Sequence, residues 1–292
     1  MEIKASMVKE LRDLTGAGMM DAKKALVEAE GDMAKAQELL RQKGIASADK
    51  KMGRIAAEGL VGSVVEGKKG AMVEVNCETD FVAKNESFKE LVNSIAAVIL
   101  EKNPADVDAL LQESIDNTTV EEYIKEAIAK IGEKITIRRF VRYDNGNCAA
   151  TYIHNGKIGV LLEVKCLSEG TCDGTLAKDI CLHIASCAPE FVSREKIPAS
   201  VIEEEKRIEM GKEDLAKKPE DIRAKIVEGR VNKLMAQRCL LEQGFVKNPD
   251  QTIADIIAGK AEIVKFDRYE LGEGLEKRNE NFADEVMNQI KG

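Results

Sequence analysis

The amino-acid sequence is poor in the residues on which most catalytic and metal sites depend. Its 292 residues include two histidines and no tryptophan, and aromatic residues make up 4% of the chain. Structural zinc sites combine histidines with closely spaced cysteine pairs, and no CxxC pair occurs here, so we expect no such site. The seven cysteines are an odd number without regular spacing, so we expect reduced thiols and no disulfide framework.

Long apolar segments are also missing. No stretch approaches the roughly 20 apolar residues that cross a bilayer, and the N-terminal residues lead directly into an amphipathic pattern without the features of a signal or transit peptide. The formal net charge of −8 argues against a general phosphate-binding surface, so we expect no direct contact with nucleic acid. We therefore expect a cytoplasmic protein without a membrane partner.

Residues 1–52 are predicted to form a three-helix unit that resembles the ubiquitin-associated domain. Apolar residues recur at helical spacing, and Gly16, Gly31 and Gly44 are expected to end the three helices. The first connection is rich in glycine, but no strand precedes it and Asp21 stands where a GxGxxG motif needs its last glycine. We therefore reject a nucleotide site there.

The same connection presents two methionines. Met19 and Met20 lie beside Lys23 and Lys24, which gives an adaptable apolar surface with basic edges that suits a partner helix. The alternative is that both methionines belong to the core of the unit. A basic linker of small residues is expected to follow, over residues 46–58.

From residue 59 the pattern changes to the alternation that is typical of β-strands. Strands over residues 60–65 and 71–77 are expected to form a hairpin, and a loop over residues 79–84 leads to an amphipathic helix capped by Asn85. A further helix and strand are predicted over residues 120–130 and 135–143.

The loop after the hairpin contains an unusual pair, Asp80 and Phe81, between Thr79 and Val82. Loops are usually exposed and polar, and the chain has only seven phenylalanines. One interpretation is that Phe81 folds back onto the core while Asp80 caps a turn. The other is that the pair is presented to a partner.

An internal duplication organises the centre of the chain. The segment at Gly70 matches the one at Gly159, 89 positions later, and the segment around Phe140 matches the one around Phe266, 126 positions later. We predict an α+β fold in which each half-repeat is an antiparallel sheet with helices on one face. The predicted boundaries are residues 53–144 for the first half-repeat, and residues 145–198 with 245–271 for the second.

The difference between the two offsets leaves 37 additional residues in the second half-repeat. We predict an antiparallel coiled-coil hairpin over residues 199–244, because Ser200 and Glu203 resemble a capping box and apolar residues repeat at spacings of seven. The expected apolar seam comprises positions 201, 208 and 215, then 227, 234 and 241. We interpret this arm as an interaction or dimerisation element. Residues 272–292 are predicted to form a C-terminal helical module.

No catalytic arrangement emerges from the reactive side chains. A thiol enzyme centred on Cys181 needs a neighbouring base, but His183 is two residues away and would project about 200° from it on a helix. His183 lies at the edge of an apolar helical stripe, where it is either a structural residue or an exposed contact. We expect no enzymatic activity, no cofactor and no bound metal.

Several motifs, in order along the chain, resemble the elongation factor Ts family, whose members are guanine-nucleotide exchange factors for elongation factor Tu. They comprise residues 11–20 with 23–26, 74–82, 131–133, 183–185 with 189, and 272–274 with 276–277. The resemblance covers nearly the whole chain. It implies that Asp80 and Phe81 enter between two helices of the partner's nucleotide-binding domain, dismantle its magnesium site and release GDP.

The resemblance also implies roles for other residues. The matched positions are Met19, Met20 and Lys23 for contact with the same domain, Thr79 and Val82 around the inserted pair, and Ile131, Gly132 and His183 in support of the contact. The hairpin resembles the family's dimerisation subdomain, which leaves open a homodimer, a two-plus-two complex or a contact with the partner.

The alternative function is a protein-binding scaffold that uses the ubiquitin-associated-like unit without exchange activity. That hypothesis leaves the duplication and the Asp80–Phe81 pair unexplained. In the second half-repeat, the segment after Cys166 lacks an aspartate–phenylalanine pair, so the pair is an addition to one copy of a shared scaffold. This difference favours contact of Phe81 with a partner.

Overall fold

The computed structural model describes residues 3–167, 174–215 and 218–276. Its N-terminal unit consists of α1 (Ala5–Thr15), α2 (Met19–Glu28) and α3 (Met33–Lys51). Gly16 ends α1 in the left-handed conformation, with φ of 68°, as glycine does without steric cost. The side chain of Asp32 accepts a hydrogen bond from the Lys35 backbone N–H at 3.1 Å and so caps the start of α3.

The third helix does not stop at Gly44, so the predicted stop and the linker from residue 46 were wrong. The helix continues to Lys51. Ala48, beyond the predicted stop, is fully buried in the core of the first half-repeat, and the side chain of Arg41 pairs with Glu122 at 3.2 Å. A glycine inside a helix costs about 1 kcal/mol, which packing of this kind readily offsets.

The first half-repeat forms one three-stranded antiparallel sheet with strand order β1-β2-β5. Its elements are β1 (Glu58–Glu66), β2 (Lys69–Cys77), α4 (Asp80–Ala83), α5 (Glu86–Lys102), α6 (Val107–Gln112), β3 (Ser114–Ile115), β4 (Thr118–Thr119), α7 (Val120–Ile131) and β5 (Ile135–Tyr143). The predicted cap of α5 is present, since the Asn85 side chain accepts a hydrogen bond from the Ser87 N–H at 3.0 Å.

The second half-repeat forms a corresponding antiparallel sheet with strand order β10-β7-β6. Its elements are β6 (Cys148–His154), β7 (Ile158–Cys166), α8 (Gly174–Cys187), β8 (Gly244–Phe245), β9 (Asn248–Thr252), α11 (Ile253–Ile257) and β10 (Ala261–Glu270), with α9 (Ala199–Met210) and α10 (Glu220–Arg238) inserted. The prediction of an α+β protein is confirmed. Of the predicted C-terminal module, residues 277–292 lie outside the described residues.

The two sheets share an irregularity at equivalent positions. In the first, the pairing of β2 with β5 shifts register after Glu74 and leaves Arg138 as an extra residue. In the second, the pairing of β7 with β10 shifts next to Glu163 and leaves Val264 as the extra residue. Since β-bulges bend a strand at a defined place, this match supports the duplication inferred from the sequence.

The sheets pack against each other through a small apolar layer and two exchanged carboxylate contacts. Glu74, fully buried in the first sheet, accepts a hydrogen bond from the N–H of Gly272, which follows the last strand of the second half-repeat, at 2.8 Å. Glu163, fully buried in the second sheet, accepts one from the N–H of Gly146, which follows the last strand of the first, at 2.8 Å. The buried carboxylate of each sheet therefore binds a backbone N–H a few residues beyond the last strand of the other sheet.

The inserted helices pack antiparallel, and four of the six predicted seam positions lie in their apolar cluster: Leu215 and Val227 are buried, and Val201 and Leu234 pack partly against them. The antiparallel direction is evident from ion pairs of Glu205 with Arg238 and of Glu209 with Arg230, at 3.1 and 3.4 Å. Ile208 is exposed, and α10 buries residues at a spacing of four instead of seven. The buried residues of α10 are Val227, Val231 and Met235. The predicted capping box is wrong, because Pro198 occupies the N-cap of α9 and no side chain in the described part of the chain caps the helix.

Candidate functional site

The Asp80–Phe81 pair lies on a single helical turn, α4, and not in an open loop. Thr79 is its N-cap, and the Thr79 hydroxyl accepts a hydrogen bond from the Val82 N–H at 3.4 Å. Val82 packs partly against the core of the first half-repeat and Ala83 is buried. Phe81 points away from that core with 80% of its surface exposed, so the interpretation that it folds back is wrong.

Asp80 does not cap the turn, because Thr79 does so. Its carboxylate forms an ion pair with Lys84 one turn later, at 2.6 Å, and the Lys84 ammonium lies 5.9 Å from the centre of the Phe81 ring. The hydrogen bond from Lys84 lowers the pKa of Asp80 below its ordinary value. The turn therefore presents a bare aromatic ring next to an ionised carboxylate.

The base of the turn is held by the segment Gly132–Glu133, which directly follows α7. The family resemblance implies a supporting role for Ile131 and Gly132. Ile131 packs partly against the core, and Gly132 ends α7 with φ of 91°. The Glu133 carboxylate then accepts hydrogen bonds from the Thr79 N–H at 3.0 Å and the Thr79 hydroxyl at 2.6 Å. Glu133, which directly follows Gly132, is therefore the side chain of this segment that contacts the Phe81 turn.

The N-terminal unit presents the predicted apolar surface. Met19 and Met20 are 48% and 64% exposed, and Lys23 is exposed beside them, so the alternative that both methionines are core residues is wrong. Two further exposed apolar residues, Leu14 and Val27, were missed by the sequence analysis. Val27 could have been found, because it lies two helical turns after Met20 and so shares its face of α2.

A cleft of about 780 Å³ lies between the N-terminal unit and the first half-repeat. Its lining includes Leu14 from α1, Leu40 from α3, Tyr123 from α7 and Ile131 at the end of α7. Helix α7 therefore borders this cleft, and the segment after its end contacts the base of the Phe81 turn through Glu133.

His183 is not part of this arrangement. It is fully buried in the second half-repeat, so the option that it is an exposed contact is wrong. Its Nδ1 accepts a hydrogen bond from the Val246 N–H at 3.1 Å, and its Nε2 lies 2.9 Å from the Gln243 carbonyl oxygen Oε1. These contacts require a neutral ring protonated at Nε2, which tethers the segment around Val246 to α8.

We expect His183 to make the folded protein less stable at mildly acidic pH. Burial lowers its pKa below the ordinary 6.5, although the Gln243 hydrogen bond opposes this effect. The unfolded chain therefore binds more protons just below pH 6.5, and the free energy of unfolding falls as the pH falls through that window. Urea denaturation at a series of pH values measures this slope.

His183→Asn is the matching variant, because it removes the titrating ring. We expect it to be less stable at every pH but to have a shallower dependence of the free energy of unfolding on pH just below 6.5. An unchanged slope in His183→Asn would show that other groups cause the pH dependence.

The cysteines provide no activated thiol in the described residues. Cys181 is fully buried, and burial raises the pKa of its thiol, so the hypothesis of a thiol enzyme centred on it is not supported. The sulfur that approaches His183 is that of Cys187, at 3.6 Å from Nδ1. Cys166 is disulfide-bonded, so the expectation of reduced thiols throughout was wrong at that position.

Metal-binding clusters and membrane-spanning helices are both absent from the part of the chain that the structure describes. No group of three or more histidine, cysteine, aspartate and glutamate side chains is arranged to bind a metal ion. No helix there combines the length and apolar character needed to cross a membrane.

Comparisons with known proteins agree with the geometry of the site. The family model described as elongation factor TS matches residues 78–273. A curated protein named elongation factor Ts, from Alkalilimnicola ehrlichii, is 47% identical to this chain over 296 aligned positions, and the alignment covers 100% of both proteins. The Phe81 turn and the Gly132–Glu133 segment both fall inside the matched region.

Proposed function

Because this chain belongs to the elongation factor Ts family, we propose that it binds elongation factor Tu in its GDP-bound form and promotes release of GDP, so that GTP can rebind. The observation that carries this proposal is the exposed Phe81 ring on an anchored helical turn. An apolar side chain of this size gains free energy only when a partner covers it.

The energetic requirement on such a factor is simple. It must bind the nucleotide-free form of the partner more tightly than the GDP-bound form, because only a difference in affinity shifts the equilibrium. By reciprocity, GDP or GTP weakens the factor's own binding by the same ratio, which returns the factor to solution. Insertion of Asp80 and Phe81 next to the partner's magnesium and phosphate site would create this difference.

The surface formed by Met19, Met20 and Lys23 is proposed to bind the same domain of elongation factor Tu without acting on the nucleotide. Its exposed thioethers and adjacent ammonium suit an adaptable contact with the apolar face of a helix. We propose that Ile131, Gly132 and His183 support the contact without touching the partner. Ile131 and His183 pack inward, and Gly132 ends α7 with a positive φ.

The architecture outside the Phe81 turn is proposed to serve docking. We infer that the N-terminal unit is a ubiquitin-associated-like domain and that the α9–α10 insertion is a coiled-coil-type hairpin. Exposed apolar side chains on this hairpin, Ile208, Met210 and Ile222, support a role in a homodimer, in a two-plus-two complex or against the partner. The domain boundaries given above are proposed for this arrangement.

The proposed activity makes and breaks no covalent bond, so we infer that the chain is not an enzyme and needs no cofactor of its own. We infer a cytoplasmic site of action, as suits a factor of translation elongation. A ubiquitin-associated-type scaffold without exchange activity is not favoured, because the family match extends over the duplicated core.

The test is release of a fluorescent GDP analogue from elongation factor Tu in the presence of excess unlabelled nucleotide. We expect substoichiometric amounts of this protein to accelerate release, since each molecule acts repeatedly. A release rate that is the same with and without the intact protein would contradict the proposal.

Substitution of Met19 and Met20 by alanine is expected to weaken docking selectively. The double variant should need about tenfold more protein for half-maximal release, equivalent to about 1.4 kcal/mol of binding free energy, with the same release rate at saturation. Met52→Ala is the matched control, since Met52 is also 48% exposed but follows the N-terminal helices. A lower saturating rate in the double variant would contradict a pure docking role.

A further inference from the structure

The hydrogen bonds at the base of the Phe81 turn run in both directions between two segments. Glu133 Oε2 accepts from the N–H groups of Glu78 and Thr79, at 3.1 and 3.0 Å. Glu78 Oε1 in turn accepts from the N–H of Lys134 at 2.7 Å and pairs with Arg54 at 3.1 Å. We call the reciprocal contacts of Glu78 and Glu133 the carboxylate clamp. It joins the end of β2 to the start of β5 immediately before α4.

The duplication provides an internal comparison for this clamp. Leu167 is equivalent to Glu78 by the offset of 89, and its N–H donates to the backbone carbonyl of Lys260 at 3.0 Å. Gly259 is equivalent to Glu133 by the offset of 126. The second half-repeat therefore satisfies this N–H with backbone alone, and neither carboxylate of the clamp is present at the equivalent positions. The half-repeat scaffold does not need the clamp.

The clamp is found in the half-repeat that carries the exposed aromatic ring. Phe81 is 80% exposed, so packing against its own core contributes little to the direction of the ring. Val82 and Ala83 anchor one side of α4, and Glu133 fixes the residue at its start through three hydrogen bonds to Glu78 and Thr79. Backbone N–H donors bonded to a carboxylate make stronger hydrogen bonds than those between neutral groups.

We propose that Glu133 is a positioning residue for nucleotide release, which holds the Phe81 turn in the direction that enters the partner. This inference rests on the proposed exchange function. A side chain that separates two helices of another protein must resist the opposing force, and a turn hinged at its first residue would bend instead. Glu133 acts through the orientation of Thr79 and the turn that follows, which it holds by hydrogen bonds.

A fluorescent reporter can test this in the free protein. The chain has no tryptophan, so Phe81→Trp introduces a single reporter whose fluorescence anisotropy measures the mobility of the turn. In this background, Glu133→Ala is expected to lower the anisotropy clearly, with little change in the circular dichroism spectrum. Equal anisotropy with and without Glu133→Ala overturns the proposal.

Release of GDP provides the second measurement, with residue Phe81 retained. Glu133→Ala is expected to lower the release rate at saturating protein about tenfold, while the concentration for half-maximal release changes less. Glu133→Gln should restore most of the rate, because its amide oxygen can accept both N–H groups and its NH₂ can donate to the Thr79 hydroxyl. Glu242→Ala, which removes a carboxylate bonded to Arg194 in the second half-repeat, should match the unmodified chain.

The outcomes separate the two proposals. If the unmodified chain does not accelerate release, the exchange function fails whatever the anisotropy shows. If the unmodified chain does accelerate release, two results would show that the role assigned to Glu133 is wrong. One is a full saturating rate in Glu133→Ala, and the other is a rate in Glu133→Gln as slow as that in Glu133→Ala. Should Glu133→Ala unfold the protein, Thr79→Val replaces it. This variant removes both the hydroxyl bond to Glu133 and the N-cap bond to the Val82 N–H, so unchanged anisotropy and release rate in it overturn the proposal.

Discussion

Phe81→Ala is expected to lower the rate of GDP release at saturating protein by about thirtyfold to a hundredfold. An aromatic residue at the centre of an interface commonly contributes about 2 kcal/mol or more, and about 2–3 kcal/mol is expected here. Each 1.4 kcal/mol corresponds to a factor of about ten. Because the ring is 80% exposed in the free protein, its removal opens no cavity in the core. Phe81→Ala should therefore lower the rate of GDP release without lowering the free energy of unfolding.

Two further variants make this prediction specific. Asp80→Ala should have a smaller effect on release, because its carboxylate is exposed and already paired with Lys84. Leu167→Ala is the matched control, since Leu167 is an exposed apolar residue near the equivalent position of the second half-repeat. Thermal unfolding of Phe81→Ala should follow that of the unmodified chain. Equal effects of Phe81→Ala and Leu167→Ala on release would remove the basis of the proposed mechanism.

Of the substitutions proposed for this chain, Glu74→Ala is expected to lower the free energy of unfolding most, by about 3 kcal/mol or more. The fully buried Glu74 carboxylate pairs with Arg138 at 3.0 Å and Arg139 at 2.7 Å, and it accepts the Gly272 N–H. Burial by itself raises the pKa of Glu74, but the Gly272 N–H and the two arginines outweigh it, so the pKa is lowered overall. Removal of one partner of a buried ion pair typically costs about 3–5 kcal/mol, because the remaining charges lose their compensation.

Chemical denaturation at neutral pH measures this loss, and Glu163→Ala is the control that the duplication supplies. Glu163 is equally buried, but its Oε2 has no hydrogen-bond partner among the residues that the structure describes, and Lys265 lies 3.8 Å away. We therefore expect a smaller loss in Glu163→Ala. The contribution of Glu74 should also decline as the pH falls below about 4.5, where the unfolded carboxyl becomes protonated. Losses of equal size in the two variants would contradict this account.

Elements with strong local signals were predictable from the sequence. The predicted strand over residues 135–143 coincides with β5. The helix predicted from residue 120 is α7, which has Thr119 as its N-cap and ends at Gly132. These signals act between residues a few positions apart, so they can be recognised in the sequence without knowledge of the fold.

Elements whose ends depend on packing were not predictable in this way. The glycine at position 44 favours a helix end, yet α3 continues because Ala48 packs in the core of the neighbouring half-repeat. Apolar residues spaced by seven in the insertion predicted a seam, and Val227 does point inward, but Ile208 is exposed while Val231 and Met235 are buried. At Gly44 a local preference of about 1 kcal/mol competes with burial of apolar surface, which is worth more.

The sequence by itself determined the family, the α+β class, the duplication and the presence of Asp80 and Phe81 in one copy. Only the tertiary structure decided that Phe81 is exposed, that His183 is buried, and that Glu133 contacts Thr79 across 54 positions of the chain. The physical reason is that exposure and long-range hydrogen bonds depend on which segments meet in space. Spacing along a strand or helix specifies which face a side chain occupies, but not what covers that face.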